Sequence, residues 1–176
     1  MARFADGYNV LMNSPRRFKP IHYRGSLVHF EIPEDWMEEY EPDGGGTFYP
    51  PIDESVTLRL SILTLEAPAN PEFAGLERVF GAREFRGLPI EKLANGQAMC
   101  IGRVIKAEER GQPLDLHRWG VARSIPPRCV RLALFTTTIA VGVAAADQTR
   151  ATLDMLLVQV RKCRIADAAV TSAPRP

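Results

Sequence analysis

The sequence predicts an α+β fold: a twisted antiparallel sheet of about six to seven strands flanked by helices. Three observations carry that prediction. Apolar and polar residues alternate in several separate stretches between residues 27 and 125. A later stretch, residues 130–141, is apolar on both faces, as a central strand is. Beyond residue 147, leucines and a valine recur at helical spacing. At 176 residues, with 45% hydrophobic and 24% charged residues, the chain suits one domain whose core needs neither metal nor disulfide to hold it.

Residues 1–24 lack periodicity and are rich in asparagine, proline and arginine, which predicts an irregular N-terminal arm. Residues 25–166 form the single α+β domain, and residues 167–176 (DAAVTSAPRP) read as a disordered tail. Within the domain, Val28, Phe30 and Ile32 alternate with Leu27, His29 and Glu31, the period of a half-buried strand that Pro33 ends. Trp36 is expected to fold back onto the core. Gly44-Gly45-Gly46 then turns the chain into a short extended piece, residues 47–49, which Pro50-Pro51 stops. In residues 56–65, Val56, Leu58, Leu60 and Ile62 share one face while Thr57, Arg59 and Ser61 share the other. Asn70-Pro71 supplies an N-cap with proline at the first helical position, and Phe73, Leu76, Val79 and Phe80 follow at helical spacing.

Residues 88–94 and 97–109 read as strands joined at Asn95-Gly96, a dipeptide suited to a two-residue hairpin because both positions tolerate positive φ. Arg110-Gly111 makes a second turn into residues 113–125. There the apolar phase moves from Leu114 and Leu116 to Trp119 and Val121, which predicts a bulge near His117. Past Pro126-Pro127, Val130, Leu132 and Leu134 oppose Ala133, Phe135 and Ile139, so this strand needs cover on both sides. A helix capped by Asp147 and running to about residue 164, striped by Leu153, Leu156, Leu157 and Val160, is expected to supply one cover.

Net charge is only +1, yet residues 31–54 hold nine acids and no lysine or arginine. The near-neutral total, with Arg16, Arg17, Lys19 and Arg24 as the one small basic arm, argues against nucleic acid. The longest apolar stretch, residues 132–146, falls short of the roughly 18 to 20 residues of a membrane span. Residues 8–12 are too short an apolar segment for a secretory signal. Cys100, Cys129 and Cys163 are far apart and form no CxxC pair, which argues against a disulfide framework or zinc site and for a reducing, cytoplasmic compartment.

Catalytic patterns are missing from the text of the chain. There is no Gly-x-Ser-x-Gly elbow, His22, His29 and His117 have no metal-ligand spacing, and Gly44-Gly45-Gly46 is not followed by Lys-Ser/Thr. No catalytic residue, cofactor or metal is therefore assigned. Asp115 and His117, two apart on a strand, share a face; with Arg118 and Trp119 they mark where a small-ligand cleft or an oriented base could sit. A larger feature is the acidic block, where Glu34, Asp35, Glu38, Glu39, Glu41 and Asp43 are interleaved with Trp36 and Tyr40. Rings among like charges suit a docking surface for a protein partner of basic character. The alternatives are a solvated acidic loop that aids solubility, or acids overlain by the basic arm of their own chain.

The order strand, Pro-x-x-Trp, glycine-rich turn, strand, helix, meander and final helix resembles the PsbP/Mog/DcrB-like sandwich superfamily. The residues that carry the resemblance are VHFEIPEDW (28–36), GGTFYPP (45–51) with VTLRLSILTLE (56–66), the Asn95-Gly96 hairpin, and RLALFTTTIA (131–140) leading into the last helix. It covers roughly residues 27–165. The resemblance implies an α/β/α sandwich and a binding role, since its members include a Ran-binding import factor, an extrinsic photosystem subunit, periplasmic lipoproteins and secretion-effector chaperones. The missing export signal sets this chain apart from the photosystem and lipoprotein members. The expected function is a non-catalytic protein-binding or chaperone-like module, with a homodimer compatible. The alternatives are a small-ligand-binding protein or enzyme with a cleft near His117, and a structural subunit of a larger assembly.

Overall fold

The computed structural model describes residues 16–42, 44–52, 56–66, 76, 78–81, 85–142 and 147–167. Among them the elements follow in the order β1 (Phe18–Tyr23), β2 (Val28–Pro33), β3 (Met37–Tyr40), β4 (Gly46–Tyr49), β5 (Val56–Glu66), β6 (Ile90–Lys92), β7 (Ala98–Ile101), β8 (Ile105–Glu109), β9 (Gln112–Ile125), β10 (Cys129–Ala140), α1 (Asp147–Lys162) and β11 (Arg164–Ile165). All strand pairs are antiparallel, but they form two sheets rather than the one expected. The larger has eight strands in the order β3, β4, β5, β10, β9, β7, β6, with β8 pairing β9; the smaller has three, β1, β2, β11. The expected count of strands was low because the additional ones are short, charged or interrupted by proline, and so carry little periodic signal.

Residues 18–23, expected as part of an irregular arm, are one of these strands. Ile21 and Tyr23 are each 2% exposed and lie opposite Phe30 and Val28. Pro20 conceals the pattern, yet β1 is an edge strand, where the missing N–H of proline is tolerated. Residues 1–15 and 168–176, and with them most of the expected arm and tail, lie outside the described residues.

Central strand β10 runs between β5 and β9 with both faces covered, as its two-faced pattern requires. On the inner face, Phe48, Leu58, Leu60, Ala133 and Phe135 pack against the small sheet and α1. Phe30 sits edge-on to both Phe48 and Phe135, with centroids 5.3 Å apart in each pair. Leu156 and Val160 of α1 are 1% exposed and Leu153 and Leu157 pack partly buried beside them, so the predicted stripe faces the core. Each fully buried side chain of this size contributes about 1.5 to 3 kcal/mol. On the outer face, Leu76, Phe80 and Phe85 cover Ala98, Ala122, Val130 and Leu132. Leu76 and Val79 are helical, as predicted, while Phe73 lies outside the described residues. Gly120 of β9 makes this second layer close: a Cβ there would stand 2.7 Å from a Phe80 ring carbon.

The predicted bulge is misplaced by one strand. β9 and β10 keep unbroken register from Ile125 opposite Cys129 to Leu114 opposite Ala140, past His117. The irregularity lies across from it, where residues 102–104 oppose residues 117–118 between the pairs Ile101↔Trp119 and Ile105↔Leu116. It splits the expected strand 97–109 into β7 and β8. The phase change along β9 has a simpler cause: Leu114 and Leu116 face one side of the sheet and Trp119 and Val121 the other. Asn95-Gly96 is likewise not a two-residue hairpin. Leu93 N–H donates to Gln97 O (2.8 Å) and Gly96 N–H to Leu93 O (3.0 Å), so the loop spans residues 94–96 and only Gly96, at φ +79°, uses left-handed backbone. Arg110-Gly111 does form a turn with both residues at positive φ.

The chain end after α1 is fastened to the large sheet. Arg123 and Arg131, opposite each other on β9 and β10, donate to the carbonyls of Ile165 and Ala166, and Arg123 also pairs with Asp167 at 2.9 Å.

Candidate functional site

Part of the acidic block, Glu38, Glu39 and Tyr40, is strand rather than loop. Met37–Tyr40 forms β3, the outermost strand of the large sheet, hydrogen-bonded among the described residues only to β4. The pleat sorts its side chains by face. Glu38 and Tyr40 share one side, where Tyr40 Oη donates to Glu38 Oε2 at 2.6 Å. Met37 and Glu39 share the other, where Glu39 accepts from the Tyr49 hydroxyl. Glu34, Asp35, Glu39, Tyr40 and Glu41 are exposed, Tyr40 to 54% and the adjacent Met37 to 49%. Trp36 is excluded from this surface: at 2% exposure it is a core residue, in keeping with the turn back onto the core expected of it. Asp43 lies outside the described residues.

Basic residues of the same chain lie across part of this edge. Lys19, on β1 of the other sheet, donates its Nζ to Trp36 O at 2.7 Å and pairs with Glu38 Oε1 at 2.8 Å. Burial raises the Glu38 pKa, but the hydrogen bonds from Lys19 and Tyr40 and the Lys19 charge outweigh it, and the group titrates below its ordinary value. Tyr40 is pushed well above the ordinary phenol by burial and by the Glu38 carboxylate beneath it. The Arg24 guanidinium lies over Gly44, and the Glu41 carboxylate over Gly45. The sequence offered the basic arm lying over these acids as one alternative, and Lys19 does so; that Glu38 is its partner was not legible, because the two residues belong to different sheets.

Asp115, His117, Arg118 and Trp119 do not converge. Alternation along β9 puts Arg118 on the face opposite the other three, and Trp119 is 4% exposed in the core. Asp115 accepts two hydrogen bonds from Lys106, at 2.7 and 2.8 Å. Burial lowers the His117 pKa, Asp115 raises it and Lys106 lowers it; the net shift is downward and leaves a neutral ring at pH 7.

A cavity of about 530 Å³ lies elsewhere, lined by Pro20, His29 and Glu31 of the small sheet, Asn95 of the β6–β7 turn, Gln159 of α1 and Arg164 of β11, among others. In the sequence its only trace is the basic run Arg161, Lys162, Arg164, which also reads as an ordinary basic helix end. Among the described residues no group of three or more His, Cys, Asp or Glu could hold a metal ion, and no helix is long and apolar enough to cross a membrane.

Two antiparallel sheets with a helix closing the inner face make an α+β sandwich, a fold this chain shares with solved structures of low sequence identity. The sequence matches no protein-family model and no curated protein. Among solved structures, the Ran-binding protein Mog1p of Saccharomyces cerevisiae superposes with a TM-score of 0.53 at 11% identity, over 89% of this chain and 99% of that one. LpqN of Mycobacterium tuberculosis, described as involved in cell envelope biogenesis, gives 0.51 at 14% identity, over 89% and 95%. A protein from Bacteroides thetaiotaomicron gives 0.56 at 13% identity over 84% of this chain, which spans about half (48%) of that longer one.

Proposed function

We propose that the protein is a non-catalytic protein-binding or chaperone-like module that presents β3 to a basic partner. The observation that carries this reading is an edge strand with one sheet neighbour among the described residues, flanked by exposed carboxylates and bearing exposed Met37 and Tyr40. An open edge offers backbone hydrogen bonds to an added strand, a half-exposed ring and thioether offer anchors, and Glu34, Asp35, Glu39 and Glu41 steer positive charge. Lys19 and buried Trp36 hold the strand in place from behind rather than meeting the partner. A solved structure of the same fold is that of a protein described as Ran-binding, which supports a protein partner as the class of ligand.

The test is capture from native lysate at low and high salt, comparing wild type with Asp35→Lys/Glu41→Lys, a variant that spares Glu38 and its structural pairing. The reading expects a partner that salt releases and the variant fails to hold. A partner retained equally by the variant, or no salt-sensitive partner at all, removes it. The reading of a ligand cleft near His117 is weaker, since the 530 Å³ cavity is lined by none of Asp115, His117, Arg118 and Trp119.

A further inference from the structure

We infer that the cavity between the small sheet, the β6–β7 turn and the last turn of α1 is a binding site for a small organic anion, a carboxylate or phosphate ester carrying an apolar body. The site follows from the topology. β11 has only two residues and pairs with Val28 and His29, so β2 runs on past it with no further strand on that side among the described residues, and the cavity opens there against Phe30 and Glu31. Its volume, about 530 Å³, suits a small molecule.

Charge selects the sign of the ligand. Among the described residues, Arg161, Lys162 and Arg164 line the cavity against a single carboxylate, Glu31. Arg161 is engaged by Glu91 at 2.9 Å, whereas Lys162 and Arg164 make no ion pair among the described residues. The negative end of the helix, which would oppose an anion, is partly masked. The Cys163 carbonyl already accepts from Asn95 Nδ2 (3.2 Å) and Gln97 Nε2 (2.8 Å). Phe30, Leu93 and Pro20 supply an apolar wall for the body of the ligand.

Gln159 is the second, independent observation. It lines the cavity, is 5% exposed, and its Oε1 has no hydrogen-bond partner. The orphaned atom is the acceptor, which is costly to leave buried and unbonded; turning the amide about its soft last torsion exchanges it for the N–H donors that an anion accepts from. The site shares no residue with β3, so its failure leaves the protein-docking reading untouched, and the reverse.

The test is titration of the full chain with phenyl phosphate and with phenylacetate, followed by amide ¹H–¹⁵N shifts, with benzyl alcohol as the neutral control. At least one anion is expected to saturate, with shifts centred on residues 29–31, 95 and 159–164. Lys162→Glu/Arg164→Glu, at two exposed positions, is expected to weaken binding at least about tenfold, as loss of charged hydrogen bonds does. Gln159→Leu is expected to weaken it while the melting temperature holds or rises. No saturable shift with either anion, equal affinity for benzyl alcohol, or unchanged affinity in the double charge variant overturns the inference.

Discussion

At Glu38 two opposing effects meet on one carboxyl group. Burial favours the neutral acid, the Lys19 ammonium and Tyr40 hydroxyl favour the carboxylate, and the second pair wins. A carboxyl whose folded pKa is depressed stabilises the fold fully above its unfolded value, near 4.5, and loses that contribution as pH falls through the lower folded value. Glu38→Gln is therefore expected to be less stable than wild type at pH 7 by about 1 kcal/mol, the scale of a partly exposed ion pair. That gap closes as pH falls below 4.5, measured by urea unfolding at each pH. A gap that persists unchanged to pH 3 would refute the ionic account. The acids of this edge were plain in the sequence, as was the burial of Trp36. Which acid is spent internally was not, because the answer depends on Lys19, which reaches β3 from another sheet.

Short elements are held less by their own hydrogen bonds than by single side chains that bridge to them, and Gln97 is the clearest bridge. At 1% exposure, it donates to Cys163 O and accepts from Ile165 N–H at 2.7 Å, joining the start of β7 to the α1–β11 junction. Gln97→Ala orphans the Ile165 N–H and leaves Cys163 O with Asn95 alone, at an expected cost of about 2 to 4 kcal/mol in urea unfolding. A cost below about 0.5 kcal/mol, ordinary for a surface substitution, would show that water replaces the bridge. The long elements β5, β9, β10 and α1 were legible because each repeats its period several times. β1, β3 and β11 were not: one carries a proline, one is half charged, and one has two residues.

For the molecule as a whole, the two sheets and α1 enclose one core while Leu76, Phe80 and Phe85 close the opposite face of the large sheet. A thiol sits in each layer. Burial pushes Cys163 up to about 12, only partly offset by its hydrogen bond with Gln97, and burial also raises Cys100; both are 0% exposed, whereas Cys129 is half-buried at the start of β10. At pH 8 an aromatic disulfide reagent is expected to label Cys129 in the native protein, and Cys100 and Cys163 only at the rate of global unfolding. Labelling of Cys163 as fast as Cys129 would mean that the small sheet separates from the large one without unfolding.

By itself the sequence determined the antiparallel strands, the doubly covered β10, the striped final helix and the concentration of acid at one place. Each of these is written as side-chain polarity at the period of the local backbone, or simply as composition. The tertiary structure alone decided the division into two sheets, the position of Glu38 and Glu39 on an edge strand strutted by Lys19, and the cationic cavity beside a two-residue strand. Those features join residues far apart in the chain, such as Gln97 and Cys163 at a separation of 66, and closing such loops is governed by the whole fold rather than by any local pattern.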